Sequence, residues 1–339
     1  MIVVCFCFNA FGYYVSEVSS RKQSLQRAFN KCKSAPLSFD DFVQGLCSAK
    51  ALSKAVLEKH GELCMANEVD WSEVLRECKR RIRTVIAPLL KTLNQPQPDL
   101  GVGAGGDPVK KVDLAAEGAI VEVLKEHGVS FTLVSEESGV REYGENAREC
   151  YVTCDPIDGT TNLVRGLPFY ATSIAVSAEP RIDKVHAGLV ADLFHDVTYV
   201  AEKGKGAYRD GHRLVPSSVV SLEEAVIGVD LNSYKVERIV PKLTRLIGRT
   251  KHIRHFGANA LELCFVADGT TDAFVDIRGK LRTTDMAAAW LILHEAGAVI
   301  TGPDGEELRV RLDPKQRVEF VASANPEIHR IILGLINPG

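Results

Sequence analysis

Eight consecutive residues, Asp155-Pro156-Ile157-Asp158-Gly159-Thr160-Thr161-Asn162, set two carboxylates three positions apart and follow them with a glycine and two hydroxyl residues. Carboxylates gathered in this way suit hard, oxygen-seeking cations such as Mg²⁺. The Gly-Thr-Thr segment offers backbone N–H groups and hydroxyls where a phosphate bridging those cations would sit. Metal and phosphate recognition within eight residues points to phosphate-ester hydrolysis. A turn needs only one or two of these residues, so turn formation leaves most of the octet unexplained. Further acids extend the set. Glu136 lies in Val134-Ser135-Glu136-Glu137-Ser138-Gly139, Asp285 precedes Met286-Ala287-Ala288-Ala289, and Asp113 precedes Leu114-Ala115-Ala116-Glu117. Simpler roles are open to each of these three. Asp285 and Asp113 stand where helix caps stand, and Glu136 can be a solvated loop acid.

The elements that must position these acids can be read from periodicity. Tyr151-Val152-Thr153-Cys154 reads as a strand that delivers both aspartates of the octet to its end, and Phe131–Ser135 as a strand ending at Glu136. Trp71, Val74, Leu75, Cys78, Ile82, Val85, Ile86 and Leu89 recur at helical spacing, with Asp70 as cap. A second helix is expected from Asp113 to His127, stopped by Gly128. Strands follow near 171–178, 185–191 and 197–202, and then a hairpin whose Asp210-Gly211 turn favours type I′. From about 222 strand and helix alternate: strand 225–230, helix 235–247, strand 250–255, helix 258–267, strand 272–277, helix 285–296 and strands 297–301 and 318–323. A last helix is capped by Asn325 with Pro326 at its first position. The pattern implies an α+β half (65–218) carrying the metal and phosphate residues and an α/β half (219–339) for the substrate.

Composition excludes several functions. With 45% hydrophobic and 25% charged residues, the 339-residue chain has the make-up of a globular protein. A formal charge of −3 gives no electrostatic basis for binding nucleic acid or an anionic membrane. Nine cysteines without a CxxC pair indicate neither a zinc site nor a disulfide framework, which favours a reducing, cytoplasmic setting. Residues 1–64 differ from the rest. They hold five of the nine cysteines and eight Lys/Arg against five Asp/Glu, a net +3. They read as a poorly ordered extension or a misassigned start upstream of Met65.

Beyond the octet, the blocks Val109-Lys110-Lys111-Val112-Asp113 with Glu117, Ser135-Glu136-Glu137-Ser138 and Asp285-Met286-Ala287-Ala288-Ala289 recur in the order and separations of a known family. Over about residues 68–335 the chain resembles the inositol monophosphatase family of Mg²⁺-dependent, lithium-sensitive sugar phosphatases. The resemblance implies a layered αβαβα sandwich, usually a homodimer, and two or three Mg²⁺ ions. It implies Glu136, Asp155, the Ile157 carbonyl, Asp158 and Asp285 as metal ligands. Glu136 and Thr160 would activate a water, Asp113 would support a more weakly held metal, and the Gly159 and Thr160 amides would hold phosphate together with Asp158.

Substrate choice is expected to follow from departures within this resemblance. Arg278 stands where animal members carry a glutamate that binds inositol hydroxyls, and Thr284 where they carry a tryptophan. Arginine suits bidentate recognition of a second phosphate. The segment Asp276-Ile277-Arg278-Gly279-Lys280-Leu281-Arg282 resembles the archaeal branch acting on both fructose 1,6-bisphosphate and inositol 1-phosphate, in which Arg254 and Asn259 would also line the sugar pocket. A solvated basic stretch is the simpler account of Arg278, Lys280 and Arg282. The rivals are a phosphatase for 3′-phosphoadenosine 5′-phosphate or histidinol phosphate and, from another class, a non-catalytic protein-binding member. A nucleotide substrate would want an aromatic surface, for which Phe256 is the obvious candidate. Retention of the whole acid set argues against the non-catalytic reading.

Overall fold

The computed structural model describes residues 69–92, 100–232 and 236–337. The extension expected over 1–64 lies outside the described residues. Helix α1 (Trp71–Leu90) is capped by Asp70, whose carboxylate accepts the Glu73 N–H, and buries Val74, Leu75, Cys78, Ile82 and Ile86. It packs against α2 (Lys111–Glu126), and both lie against the first sheet. That sheet has eight strands in the order β2-β1-β3-β4-β5-β6-β7-β8. They are β1 (Phe131–Ser135), β2 (Gly139–Tyr143), β3 (Tyr151–Asp158), β4 (Ala171–Ser177), β5 (Val185–Asp192), β6 (Val197–Glu202), β7 (Gly206–Arg209) and β8 (His212–Arg213). Only β1 and β3 pair in parallel. A six-residue helix, α3 (Thr160–Arg165), leaves the end of β3.

The second sheet runs β10-β9-β11-β13-β12, built from β9 (Val226–Val229), β10 (His252–Arg254), β11 (Ala273–Arg282), β12 (Val299–Thr301) and β13 (Arg317–Ser323). Between the sheets lie α5 (Asn259–Ala267) and α6 (Thr283–Ala296), which touch strands of both. They form the central core, in which Val190 and Tyr199 of the first sheet meet Leu261, Met286, Leu291, Phe274 and Phe320. The outer face of the second sheet is covered by α4 (Val240–Arg249) and α7 (Pro326–Ile336), through Leu243, Leu246, Ile328 and Ile332. The layers are therefore helix, sheet, helix, sheet, helix, as the resemblance implied.

Local departures from the sequence expectations have identifiable causes. The octet's Gly-Thr-Thr segment is a short helix as well as a turn: Gly159 takes a left-handed φ of 84° and α3 begins at once. β2 has an exposed Val140-Arg141-Glu142 stretch, so no apolar alternation marks it; pairing to β1 creates it. The fourth helix begins at Val240, with Pro241 in its first turn and a single 3₁₀ turn before it; residue 235, where it was expected to start, lies outside the described residues. β11 continues past residue 277 to Arg282, across an irregularity between Asp276 and Leu281. The hairpin turn has the two positive φ values that type I′ requires, 48° at Asp210 and 84° at Gly211.

Candidate active site

Three separate elements deliver the acids to one place. Glu136 follows the last residue of β1, and the parallel register that pairs Ser135 with Cys154 carries Glu136 alongside Asp155 of β3. Asp285 comes from the first turn of α6. Glu136, Asp155 and Asp285 are buried, and one carboxylate oxygen of each lies within 4.8 Å of the others. Asp285 is not the N-cap expected from sequence: α6 begins two residues earlier, at Thr283, with Arg282 as N-cap, and Asp285 at the third position reaches back to it. Its Oδ2 accepts the Arg282 N–H at 3.3 Å and its Oδ1 the Thr284 hydroxyl at 2.8 Å. The helix terminus thus fixes the orientation of a carboxylate in the cluster.

The electrostatics are unfavourable for the acids alone. Burial, then Asp285, push Glu136 up to about 9, against the opposing pull of Arg282. Burial, then Glu136 and Asp285, hold Asp155 well above the usual carboxylate range. Buried carboxylates this close remain ionised together only with positive charge among them. The donor set is oxygen alone, which fits a hard divalent cation. Several buried oxygens beside the cluster (Asp113 Oδ1, Glu137 Oε2, Ser138 Oγ and Asn259 Oδ1) also have no hydrogen-bond partner among the described residues. The site can therefore hold a metal.

Asp158 sits next to the trio rather than within it. Its Oδ2 accepts the Ala260 N–H at 2.7 Å at the start of α5, while burial and Asp285 raise its pKa. Asp155 Oδ1 accepts the Ile157 N–H at 3.0 Å, and the Thr160 hydroxyl donates to the Ile157 carbonyl at 2.9 Å. At Gly159 a side chain would be strained by the left-handed φ of 84° and crowded, since an added Cβ would lie 3.1 Å from Ala258, Gly257 and Phe169 atoms. Asn162 closes the octet by donating to the Phe169 and Phe256 carbonyls at 2.8 and 2.7 Å, joining α3 to the Phe256-Gly257 loop.

Asp113 is 2% exposed and is pushed up to about 6 by burial, while its Oδ2 accepts the Lys110 N–H at 3.2 Å. Arg254 is exposed and donates to its neighbour's carbonyl, Ile253. Asn259 opens α5. Arg278 is engaged inside the protein. Its guanidinium donates to Asp276 (2.9 and 2.6 Å) and the Asn232 carbonyl (2.9 Å), and it pairs with Asp230 at 2.5 Å.

Some participants were not singled out from sequence. Arg282, weighed there only as part of a basic stretch, donates to Glu136 Oε2 at 2.7 Å and contacts Asp107 and the Gly105 carbonyl in the glycine-rich loop that spans residues 101–106. Gly105 fits beneath it because a Cβ would lie 2.7 Å from Arg282 Nε. Glu117 accepts the Ser135 hydroxyl and the Ser138 N–H (3.2 Å), holding the segment that carries Glu136. Glu262 accepts the Phe256 and Gly257 amides at 3.1 and 2.9 Å. Of these, Glu117 stood in the sequence reading only as a member of the block that opens at Val109, with no role assigned, and its place one helical turn after Asp113 was the signal for one.

The family profile described as "Inositol monophosphatase family" matches residues 70–337. The chain belongs to this family. It is 35% identical over 271 residues to the fructose-1,6-bisphosphatase/inositol-1-monophosphatase of Methanothermobacter thermautotrophicus, covering 78% of this chain and 95% of that one. It is 33% identical over 287 residues to the bifunctional NADP phosphatase/NAD kinase of Methanococcus maripaludis; the match covers 79% of this chain but spans about half (49%) of that longer relative. Among solved structures, an inositol monophosphatase–fructose 1,6 bisphosphatase superposes with a TM-score of 0.70 at 32% identity, over 79% of this chain and 100% of that one. This family member is a phosphatase, and its acidic cluster could hold a metal. No described helix is long and apolar enough to cross a membrane.

Proposed function

We propose that this chain is a cytoplasmic, homodimeric, Mg²⁺-dependent phosphate monoesterase acting on fructose 1,6-bisphosphate and myo-inositol 1-phosphate. The observation that carries the reading is the meeting of Glu136, Asp155 and Asp285 within 4.8 Å, Glu136 from just past the end of β1, Asp155 from within β3, which runs on to Asp158 instead of stopping at Cys154 as expected, and Asp285 from a helix start. In this reading those three acids, with Asp158 and the Ile157 carbonyl, hold two or three ions. Bound ions supply neutralisation of phosphate oxygens, acidification of a water and stabilisation of the leaving alkoxide.

The chain's own groups do the remaining work. The Thr160 O–H is committed to the Ile157 carbonyl at 2.9 Å. Its oxygen is left to accept a hydrogen bond from the attacking water, and Glu136 takes the proton. The Gly159 and Thr160 N–H groups donate to phosphate oxygens, and Asp113 orients a water at the edge of the cluster. Arg254 and Asn259 border the sugar. Arg278 enters as the anchor of the pocket wall: two carboxylates and the Asn232 carbonyl occupy its guanidinium, so its charge is met within the protein.

One observation favours a second reading, a phosphorylated nucleotide. Phe256 is not isolated; its ring packs on Phe169 (4.9 Å) and Phe265 (6.0 Å), which makes a half-buried aromatic surface next to Arg254. Phosphate release from fructose 1,6-bisphosphate, inositol 1-phosphate, 3′-phosphoadenosine 5′-phosphate and NADP, with and without Mg²⁺, tests both. The two sugar phosphates should be turned over only with the metal. Preference for either nucleotide favours the second reading, and turnover unaffected by chelation refutes the metal assignment.

A further inference from the structure

We propose that the cleft between α1 and the β5–β6 turn is a binding site for a small anion carrying two or more phosphate groups. It shares no residue with the acidic centre. Its volume is about 600 Å³, within the range of small-molecule pockets. Arg76, Lys79, Arg80 and Arg83 recur at the i, i+3, i+4, i+7 spacing of one helical face, and all four line it.

The charge within the cleft is not balanced. Glu73 and Glu77 are taken by Arg80, and Glu77 also by Arg81. Asp196 is the one acid in the lining, and it serves both Lys79 (2.7 Å) and Arg83. Arg76 has a long contact to the Ser72 hydroxyl at 3.5 Å and no carboxylate partner among the described residues. The four basic residues of the cleft, Arg76, Lys79, Arg80 and Arg83, face three acids, Asp196, Glu73 and Glu77, which leaves an excess of one positive charge.

The cleft is also built rather than merely basic. The Lys79 side chain is 12% exposed, and its ammonium donates to Thr198 Oγ1 (2.6 Å) and the Asp196 carbonyl (3.1 Å) as well as pairing with the Asp196 carboxylate. Asp196 holds that position with a left-handed φ of 63°, uncommon outside glycine. Fixed guanidinium groups match the geometry of phosphate oxygens and keep their charge at any physiological pH. Two points favour a compact anion over nucleic acid: a cleft volume of only about 600 Å³, and a chain whose formal charge is −3.

Pyrophosphate titrated calorimetrically into the full chain, at low ionic strength with EDTA present, tests the proposal. Wild-type protein should bind, and added salt should weaken the binding. The Arg76→Gln/Arg83→Gln double variant should bind at least tenfold more weakly, and Asp158→Asn should bind as the wild type does. Asp196→Asn, which tolerates the same backbone conformation and removes the competing charge, should bind several-fold more tightly. No binding by wild type at millimolar pyrophosphate, an unchanged affinity in the double variant, or loss confined to Asp158→Asn would each overturn it.

Discussion

Two of the places where the molecule buries carboxylates treat them in opposite ways. Around Arg278, Asp230 (2% exposed) and Asp276 (0%) share one guanidinium whose contacts lie between 2.5 and 2.9 Å. At the acidic centre Asp155 (4%), Asp285 (5%) and Glu136 (8%) are equally buried, and the neighbouring cation, Arg282, bonds Glu136 and the glycine-rich loop. Burial of acids is thus no indicator of chemistry by itself. An ion network satisfied from within is architecture, whereas a surplus of like charge stored at a meeting point of elements is capacity for an external cation.

The sharpest way to break this comparison is to neutralise one member on each side. Asp158→Asn should lower turnover by about a thousandfold or more, equivalent to roughly 4 kcal/mol of transition-state stabilisation, without unfolding the protein. Asp155→Asn should leave the melting temperature in EDTA unchanged or higher, because it removes a repelling charge, and should abolish the rise that Mg²⁺ gives the wild type. A fall in metal-free stability would place Asp155 with the balanced network instead. Arg278→Gln should do the reverse. Stripping two buried carboxylates of their partner should cost roughly 3–5 kcal/mol in denaturant unfolding, with turnover of bisphosphate and inositol phosphate falling together. Selective loss of the bisphosphate at unchanged stability would show that the guanidinium serves substrate.

Glu262 sharpens the comparison from the pH side. Burial pushes it up to about 7, against about 4.3 in an unfolded chain. The folded state then binds more protons than the unfolded state between these values, so its contribution is present below about pH 4.3 and is lost as pH rises toward 7. Glu262→Gln keeps the oxygen that accepts the Phe256 and Gly257 amides and removes the titration. The variant should gain on the order of 3 kcal/mol over wild type between pH 5 and 8. Parallel stability curves would show that another group carries the effect. The smallest change expected is Asp70→Ala, which deletes the α1 cap and should cost about 1 kcal/mol in unfolding with turnover unaffected.

Much of this was legible along the chain because the interactions concerned are local. The octet declares itself within eight residues, and α1 through its apolar spacing and cap. β2 was not legible, since its exposed side chains carry no pattern and a neighbouring strand supplies its hydrogen bonds. Nor was Arg282, whose contacts with Glu136 and Asp107 span 146 and 175 positions. Arg278 was legible as an unusual arginine, but Asp230, one of the acids that hold it, arrives from another strand end.

Residue type and order alone determined which groups can ligate a cation and cradle a phosphate, because donor chemistry and turn geometry are properties of a few adjacent residues. Only the tertiary structure decided which buried charges cancel and which remain. That balance depends on distances of a few ångströms between groups far apart in the chain, where the Coulomb energy is set by geometry and burial and not by sequence separation.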